Sequence, residues 1–405
     1  MPESRVVLRN CEVINPRVID TYMERDGFKA WQKVLSDMTP EQVIEEIKAS
    51  GMRGRGGAGF PSGLKWDLAR KTPGEEKYVI CNADEGEVGT FKDRYILSND
   101  PFTLIEAIAI AAYAIGAKKG YIYLRAEYHY LLDLLLNAIK QAKEKGFLEH
   151  VDIDVREGAG AYVCGEESAL MDSIEGKRGE VRYRPPFPPS IGLWQKPTVI
   201  NNVETLMNIP QIIFNGANWF NQLGTERSKG TKVFSVSGDV EKPGVYELAL
   251  GSSLKELVLD LAMAKRVKIV QVGGATGRII PYENIDTPLS FETVLGAGAV
   301  TVFDESRDII DIVYRTAEFL AEECCGKCAP GREGNEAMVE ILERFSKGEG
   351  VEKDIKVLEE LSDAMRLSAL CGLGQAAPVP IIDSLQYFRD DYESRISQKQ
   401  GGIMK

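Results

Sequence analysis

Four of the seven cysteines fall in the last quarter of the chain, at positions 324, 325, 328 and 371. Cys325 and Cys328 frame a C-x-x-C at the end of an expected helix, Cys324 directly precedes it, and Cys371 follows 43 residues after Cys328. No histidine lies among them, and Gly326, Gly372 and Gly374 leave backbone N–H groups beside the thiols free to bond sulfide. Such a set suits an iron–sulfur cluster better than zinc; a redox dithiol is the alternative.

A second kind of chemistry is suggested near the other end, in the run Gly54-Arg55-Gly56-Gly57-Ala58-Gly59-Phe60-Pro61-Ser62-Gly63-Leu64-Lys65-Trp66. Closely spaced glycines allow repeated positive φ and a concave row of N–H groups, and Arg55 and Lys65 bracket the run with positive charge, so the loop suits a phosphate. A plain structural loop is the competing reading, because the run follows an expected helix rather than the strand of a dinucleotide fingerprint.

Two acidic stretches accompany it. Asp84, Glu85 and Glu87 follow an apolar run ending at Cys81, and Glu166 and Glu167 follow Gly165 where a helix through Ile174 begins. Helix capping accounts for the second pair and a solvated turn for the first, if each is taken alone. Together with the amides Asn201 and Asn202 they supply the hydrogen-bonding groups that a flavin or nicotinamide ring edge and a ribose require. Phe187, within Arg184-Pro185-Pro186-Phe187-Pro188, offers a stacking face or else fills a core behind a proline-stiffened loop. His129 and His150 lack ligand-spaced partners and read as structural.

The elements that must position these groups follow from periodicity. Residues 5–8 and 11–14 read as short β segments, 28–35 as a helix, and Thr39-Pro40-Glu41-Gln42 as a capping box opening a helix to Ala49. Runs at 78–81, 120–124 and 151–155 read as strands, alternating with helices at 102–115 and 130–145, which predicts a parallel α/β layer whose ligands gather beyond the strands' carboxyl ends. Strands at 233–237 and 245–248 around a turn at 241–244, a helix at 254–261 and a strand at 268–272 resemble a ubiquitin-like β-grasp module. Helices are predicted at 309–323, 336–347, 351–367 and 380–393.

The expected organisation is an extension and lead-in helix (1–50), a Rossmann-like α/β domain (51–228), a ubiquitin-like β-grasp domain of the soluble-ligand-binding type (229–304), a helical domain carrying the clustered cysteines (305–395) and a tail (396–405). With 49 Lys plus Arg against 61 Asp plus Glu, the net charge is −12. That balance disfavours nucleic acid and anionic membranes as partners. The N-terminus leads into no apolar signal region and the longest apolar run is far short of a membrane span, so a cytoplasmic protein, or one on the cytoplasmic face of a larger assembly, is expected.

Five motifs in order, Gly54 to Pro61, Cys81 to Glu85 with Gly89 to Arg94, Gly158 to Glu167, Lys196 to Glu204 and Cys325 to Cys328, resemble the NADH-oxidising, FMN-binding 51 kDa subunit of respiratory complex I. They equally resemble the related flavin subunits of electron-bifurcating or NAD-linked hydrogenases and formate dehydrogenases. The resemblance implies FMN held by Gly54, Arg55, Gly56, Gly57, Lys65, Asn82, Asp84, Glu85, Gly165, Glu166, Asn201 and Asn202. It implies NAD(H) stacked over the flavin near Phe60, Tyr162 and Phe187, with Glu87 and Glu167 on the nucleotide, and a [4Fe–4S] cluster on Cys325, Cys328 and Cys371. The implied reaction is hydride transfer between NADH and flavin, then single-electron transfer to the cluster, with no side chain acting as acid or base.

Departures from the family pattern sharpen the expectations. The family reads C-G-x-C-x-P-C-R, whereas Gly331 stands at the third cysteine position here and Cys324 replaces a usual serine. The fourth ligand is then Cys324 or a non-cysteine group; in a helix Cys324 would point about 100° away from its neighbour. Leu68 replaces a usual stacking Phe and Arg184 a usual Lys, which favours NADPH somewhat, but Glu167 should repel a 2′-phosphate, so NADH is the expected nucleotide. No cysteines remain for an N-terminal [2Fe–2S] or a C-terminal ferredoxin domain, so electrons are expected to leave through separate subunits, a thioredoxin-like [2Fe–2S] one and a larger multi-cluster one. A degraded paralogue that keeps flavin as a docking scaffold is the alternative function, and a related membrane-complex subunit without NADH chemistry is a further one.

Overall fold

The computed structural model describes residues 5–397, so the last eight positions of the expected tail, 398–405, lie outside the described residues. Thr39 opens the helix Pro40–Ala49 as its motif requires, accepting from the Gln42 N–H at 3.2 Å while Gln42 Oε1 accepts from the Thr39 N–H at 2.7 Å. That helix buries Val43, Ile44 and Ile47 and hands the chain to the glycine loop, after which a second helix, Ser62–Lys71, begins.

Four parallel strands, β1 (Tyr78–Ala83), β2 (Lys119–Leu124), β3 (Asp152–Glu157) and β4 (Thr198–Asn202), form a sheet in the order β3-β2-β1-β4. Side chains alternate between its faces. Val79, Cys81, Ile122 and Leu124 join the core under the helix Pro101–Ile115, while Ile80, Tyr121, Tyr123 and Ile200 pack with Val163, Leu170 and Met171 on the other side. Both faces being covered, β1 and β2 are buried along most of their length, whereas β3 at the sheet edge alternates with exposed charged residues. The helix Pro101–Ile115 is apolar nearly all round because it is enclosed by the sheet and by the helices Lys29–Asp37, Pro40–Ala49 and Ser62–Lys71.

A second, mixed sheet takes the order β6-β5-β9-β7-β8, with β5 (Thr231–Gly238) parallel to β9 (Ala299–Asp304). β6 (Gly244–Ala249) pairs antiparallel with β5, and β7 (Val267–Val272) pairs antiparallel with β9 and with β8 (Arg278–Pro281). β8 and β9 have no counterpart in the sequence-based expectation, and the segment expected as a helix at 254–261 is π-helical over Glu256–Leu261. The C-terminal region is helical: Ile309–Glu322, Ala329–Ser346, Glu352–Ser368, Gly372–Ala376, Val379–Tyr387 and Arg389–Glu393. The second of these starts seven residues before its expected position because Pro330 suits a first turn, and Gly331 and Gly334 are buried in it rather than breaking it.

The short β segments expected at 5–8 and 11–14 are not strands. The Glu247 carboxylate accepts the backbone N–H groups of Val6, Val7 and Leu8 at 2.9–3.1 Å, so those donors close on a side chain instead of a ladder. Glu106 does the same for the lead-in helix: it accepts from Phe28 N–H and Trp31 N–H, both at 2.9 Å, and from the Tyr22 hydroxyl, capping the helix Lys29–Asp37 from within the core.

Burial pushes the Glu106 carboxyl up to about 7, against its hydrogen bonds. A folded-state value above the ordinary 4.5 means that the folded chain binds this proton more tightly than the unfolded one. The stabilisation is present in full below about 4.5 and is lost as pH rises through about 7. Glu106→Gln removes that titration. Between about pH 5 and about pH 8, the urea midpoint of the wild-type chain should fall more steeply than that of the variant; parallel slopes would show that the buried carboxyl does not titrate in this window.

Candidate functional site

The glycine loop is pinched at its neck, where Gly54 N–H donates to Phe60 O and Ser62 N–H to Met52 O, each at 2.9 Å. Two of its glycines are required. A Cβ at Gly56 would lie 2.9 Å from the Asn202 Cβ, and Gly59 has φ +63 with the Phe291 ring 2.5 Å from any Cβ there. Lys65, in the helix that follows, reaches the end of β4, where its Nζ donates to Ile200 O at 3.1 Å and pairs with Glu167 at 3.3 Å. Trp66 Nε1 donates to Asn201 Oδ1 at 2.8 Å, fixing the same helix to the same strand end.

Arg55 departs from its expected role as a cation facing a ligand. It is buried, and its guanidinium donates to the carbonyls of Thr231 (2.9 Å), Arg53 (3.0 Å) and Lys229 (2.5 Å), while its backbone N–H goes to Thr205 Oγ1 at 2.8 Å. Three of its side-chain N–H groups, one on each nitrogen, hold the loop against the start of β5, because a guanidinium out of water must find acceptors.

At the carboxyl end of β1, Asn82 Oδ1 accepts the Asp84 N–H at 3.0 Å and Asn82 Nδ2 donates to Gly165 O at 2.8 Å. The Asp84 carboxylate lies beside that turn with Oδ2 buried and unpartnered, and burial pushes it up to about 7. Glu85 turns inward instead of toward a ligand. It accepts from the Asp93 and Arg94 N–H groups at 2.8 and 3.0 Å, capping the helix Lys92–Asn99, and from the Tyr128 hydroxyl at 2.9 Å. Glu87 bridges to the second sheet region through the Tyr162 hydroxyl and the Ala275 N–H, both at 2.7 Å.

Glu166 caps the helix Glu167–Ile174 through the Ser168 and Ala169 N–H groups at 3.0 Å, so its capping role is real, and it also pairs with Arg184. Glu167 stands between Lys65 and Arg184, at 3.3 and 3.2 Å. Phe60 and Phe187 remain 44% and 54% exposed, which rules out the core-filling role for Phe187. Asn202 caps Val203–Met207 and donates to Asp93 at 2.7 Å.

Beneath Asn202 lies a buried ionic group that sequence reasoning missed. Lys92 pairs with Asp93 (2.7 Å) and Glu204 (3.1 Å), and Glu204 also pairs with Lys232 and accepts the Val233 N–H at 2.8 Å. Burial alone would raise the Glu204 carboxyl, but the two ammonium groups hold it below its ordinary value. Lone lysines in otherwise mixed runs carry no sequence signal for such burial.

Cys324, Cys325, Cys328 and Cys371 line one cavity, together with Tyr162, Val163, Glu323, Gly331 and Asn335. Among the described residues no three ligating side chains converge on one point as a single ion demands. The donor set is four thiols around one cavity with no histidine in its lining, which is the ligand chemistry of an iron–sulfur cluster. The helix Ile309–Glu322 ends before Cys324, which corrects the expectation that Cys324 is turned away by helical geometry. This region is fastened to the sheet's end: the Tyr162 N–H donates to Glu323 Oε2 at 2.9 Å, and Lys327 Nζ to Val181 O at 2.8 Å.

Comparison with known proteins agrees with this geometry. Residues 47–211 match the family described as the Nuo51 FMN-binding domain, and residues 311–395 match the NADH-ubiquinone oxidoreductase-F iron-sulfur binding region. The chain is 43% identical to the NADP-reducing hydrogenase subunit HndC of Solidesulfovibrio fructosivorans over 98% of its own length and 84% of that protein. It is 41% identical to an NADH-quinone oxidoreductase subunit of Rhizobium meliloti over 98% of both. A crystal structure of an NAD+-reducing [NiFe]-hydrogenase in the H2-reduced state superposes with a TM-score of 0.90 at 39% identity, covering 98% of this chain and 68% of that one. The chain belongs to the 51 kDa family of FMN-binding NADH oxidoreductase subunits. It is an NAD(P)H-dependent oxidoreductase subunit whose cofactors are FMN and a [4Fe–4S] cluster, with NAD(H) as its nucleotide. Among the described residues no helix is long and apolar enough to cross a membrane.

Because three carbonyls depend on one guanidinium, Arg55→Lys should loosen the glycine loop without touching the sheet. Losing two buried hydrogen bonds costs about 1–3 kcal/mol each. The variant should retain less FMN through gel filtration than the wild-type chain, read from flavin absorbance per polypeptide; equal flavin content would show that the loop's hold does not depend on Arg55.

Proposed function

We propose that this chain is the electron-entry subunit of a multi-subunit oxidoreductase, exchanging two electrons with NAD(H) and single electrons with an iron–sulfur chain. The observation that carries the reading is the turn Tyr162–Gly165: Gly165 meets Asn82 and Asp84 at the sheet's carboxyl end, while Tyr162 and Val163 line the four-thiol cavity. Bound FMN supplies the chemistry that converts a hydride into separately released electrons. The chain's own residues bind and orient.

The backbone of Gly54, Gly56 and Gly57 cradles the cofactor, with Gly56 packed against Asn202. Asp84 Oδ2, a buried acceptor without a donor, is suited to a ring N–H. Asn82, Gly165, Glu166, Asn201, Asn202 and Lys65 complete the ring's rim, whereas Arg55 and Glu85 act through the loop and the helix that they hold. NAD(H) then lies over the exposed Phe60 and Phe187, with Tyr162, Glu87 and Glu167 at its edge. Arg184 is already paired with Glu166 and Glu167, which supports NADH over NADPH. Cys325, Cys328 and Cys371 hold the cluster.

The organisation into a lead-in (1–50), an FMN/NAD(H) domain (51–228), a β-grasp domain (229–304) and a cluster domain (305–395) accompanies this reading. The second sheet's order, in which the last strand lies parallel beside the first and each is flanked by an antiparallel neighbour, supports the β-grasp assignment. A thioredoxin-like [2Fe–2S] subunit and a larger multi-cluster subunit are the proposed electron partners, in the cytoplasm or on the cytoplasmic face of a complex. Electron bifurcation is the mode to be examined in that assembly.

Anaerobic NADH should bleach the flavin absorbance of the complex within the mixing time, and NADPH should do so at least about tenfold more slowly, a difference of about 1.4 kcal/mol. Failure of NADH to bleach a flavin-loaded complex would leave the docking-scaffold reading in its place. Asp84→Ala should weaken FMN binding about tenfold or more, the worth of one charge-assisted hydrogen bond, as read by flavin fluorescence titration.

A further inference from the structure

Position 331 carries no side chain, and the space that one would enter is already taken by sulfur. A Cβ at Gly331 would lie 3.1 Å from Cys328 Sγ and 3.4 Å from Cys324 Sγ. The thiol of Cys324 thus reaches the neighbourhood that a cysteine at 331 would serve, coming from the loop after Ile309–Glu322 instead of from the first turn of Ala329–Ser346. Its surroundings suit a bound thiolate: the Gly326 N–H donates to Cys324 Sγ at 3.5 Å, as the Gly374 N–H does to Cys371 Sγ at 3.4 Å. The carboxylate and the amide that line the cavity are each anchored by a hydrogen bond. Glu323 Oε2 accepts the Tyr162 N–H, and the Asn335 amide donates to Gly331 O at 2.7 Å.

We propose that Cys324 is the fourth thiolate of the cluster, with Cys325, Cys328 and Cys371, and that the paired changes at 324 and 331 are a ligand transposition in which glycine makes the room. The proposal rests on the reading that this cavity holds a [4Fe–4S] group. Two neighbouring thiolates from one loop replace one from the loop and one from a helix, so the cube keeps four sulfur ligands while its rim on the helix side is bare backbone. Gly331→Cys alone should crowd the cavity, because its Cβ has two sulfurs within 3.4 Å.

The test uses the full chain purified anaerobically with its copurifying partners, comparing wild type, Cys324→Ala, Cys371→Ser and the double variant Cys324→Ser/Gly331→Cys. Iron and sulfide per flavin are measured with low-temperature EPR before and after dithionite, the signal of this cluster being the one altered in Cys371→Ser. Cys324→Ala should lose iron relative to wild type and lose or convert that signal, while the chain keeps its flavin. The double variant should regain the iron and the signal. Full iron and an unchanged signal in Cys324→Ala, with Cys371→Ser affected, would overturn the transposition and leave the cluster reading intact. A wild-type complex whose EPR and iron content match those of Cys371→Ser would overturn the cluster reading itself. Should Cys324→Ala lose its flavin by misfolding, the double variant decides: recovery of the cluster supports the transposition, and a folded, flavin-loaded double variant without it overturns it.

Discussion

One short turn holds the molecule's two halves in register. Tyr162 gives its N–H to Glu323 beside the thiol cavity and its hydroxyl to Glu87, while Gly165, three residues later, gives its carbonyl to Asn82 on β1. The turn therefore lies between the carboxyl end of the first sheet and the thiol cavity, which Tyr162 and Val163 line. Tyr162 also packs its ring 5.1 Å from that of Phe319, so the contact is apolar as well as hydrogen-bonded.

The site is built on carboxylates that face inward. Glu85, Glu106 and Glu247 each end a segment that would otherwise leave N–H groups stranded: the start of Lys92–Asn99, the start of Lys29–Asp37 and the extended stretch at Val6 to Leu8. Each is buried, and desolvation outweighs its hydrogen bonds, which raises its proton affinity and sets stability against rising pH. Charge inside this protein therefore works mainly as backbone closure. Asp84 differs, since one of its oxygens has no hydrogen-bond partner among the described residues.

Cationic groups divide in the same way. Arg55 serves three carbonyls and Lys92 and Lys232 serve Glu204, all within the core, while Lys65 and Arg184 remain at the rim around Glu167. Positive charge near the glycine loop is thus partly structural. The second sheet contributes to this as much as the first, because Thr231 and Lys229 supply carbonyls that lock Arg55.

The residues that close short-range hydrogen bonds were legible from the sequence. Thr39 with Gln42, the β1 to β3 strands, the helix Pro101–Ile115 and the capping function of Glu166 all follow from spacing along the chain. The inventory of the site, glycines, amides, carboxylates and thiols, was legible too, since those residue types are scarce in combination. What spacing could not reveal is direction. Whether Arg55 and Glu85 point at a ligand or into the core, whether Lys92 and Lys232 are buried, and whether Cys324 leaves its helix in time to face the cavity depend on tertiary partners, as far as 176 residues away for Arg55 and as near as 8 for Glu85, or on where a helix ends. Those choices are made by the desolvation cost of each polar group against the donors and acceptors that only the packed chain brings within reach.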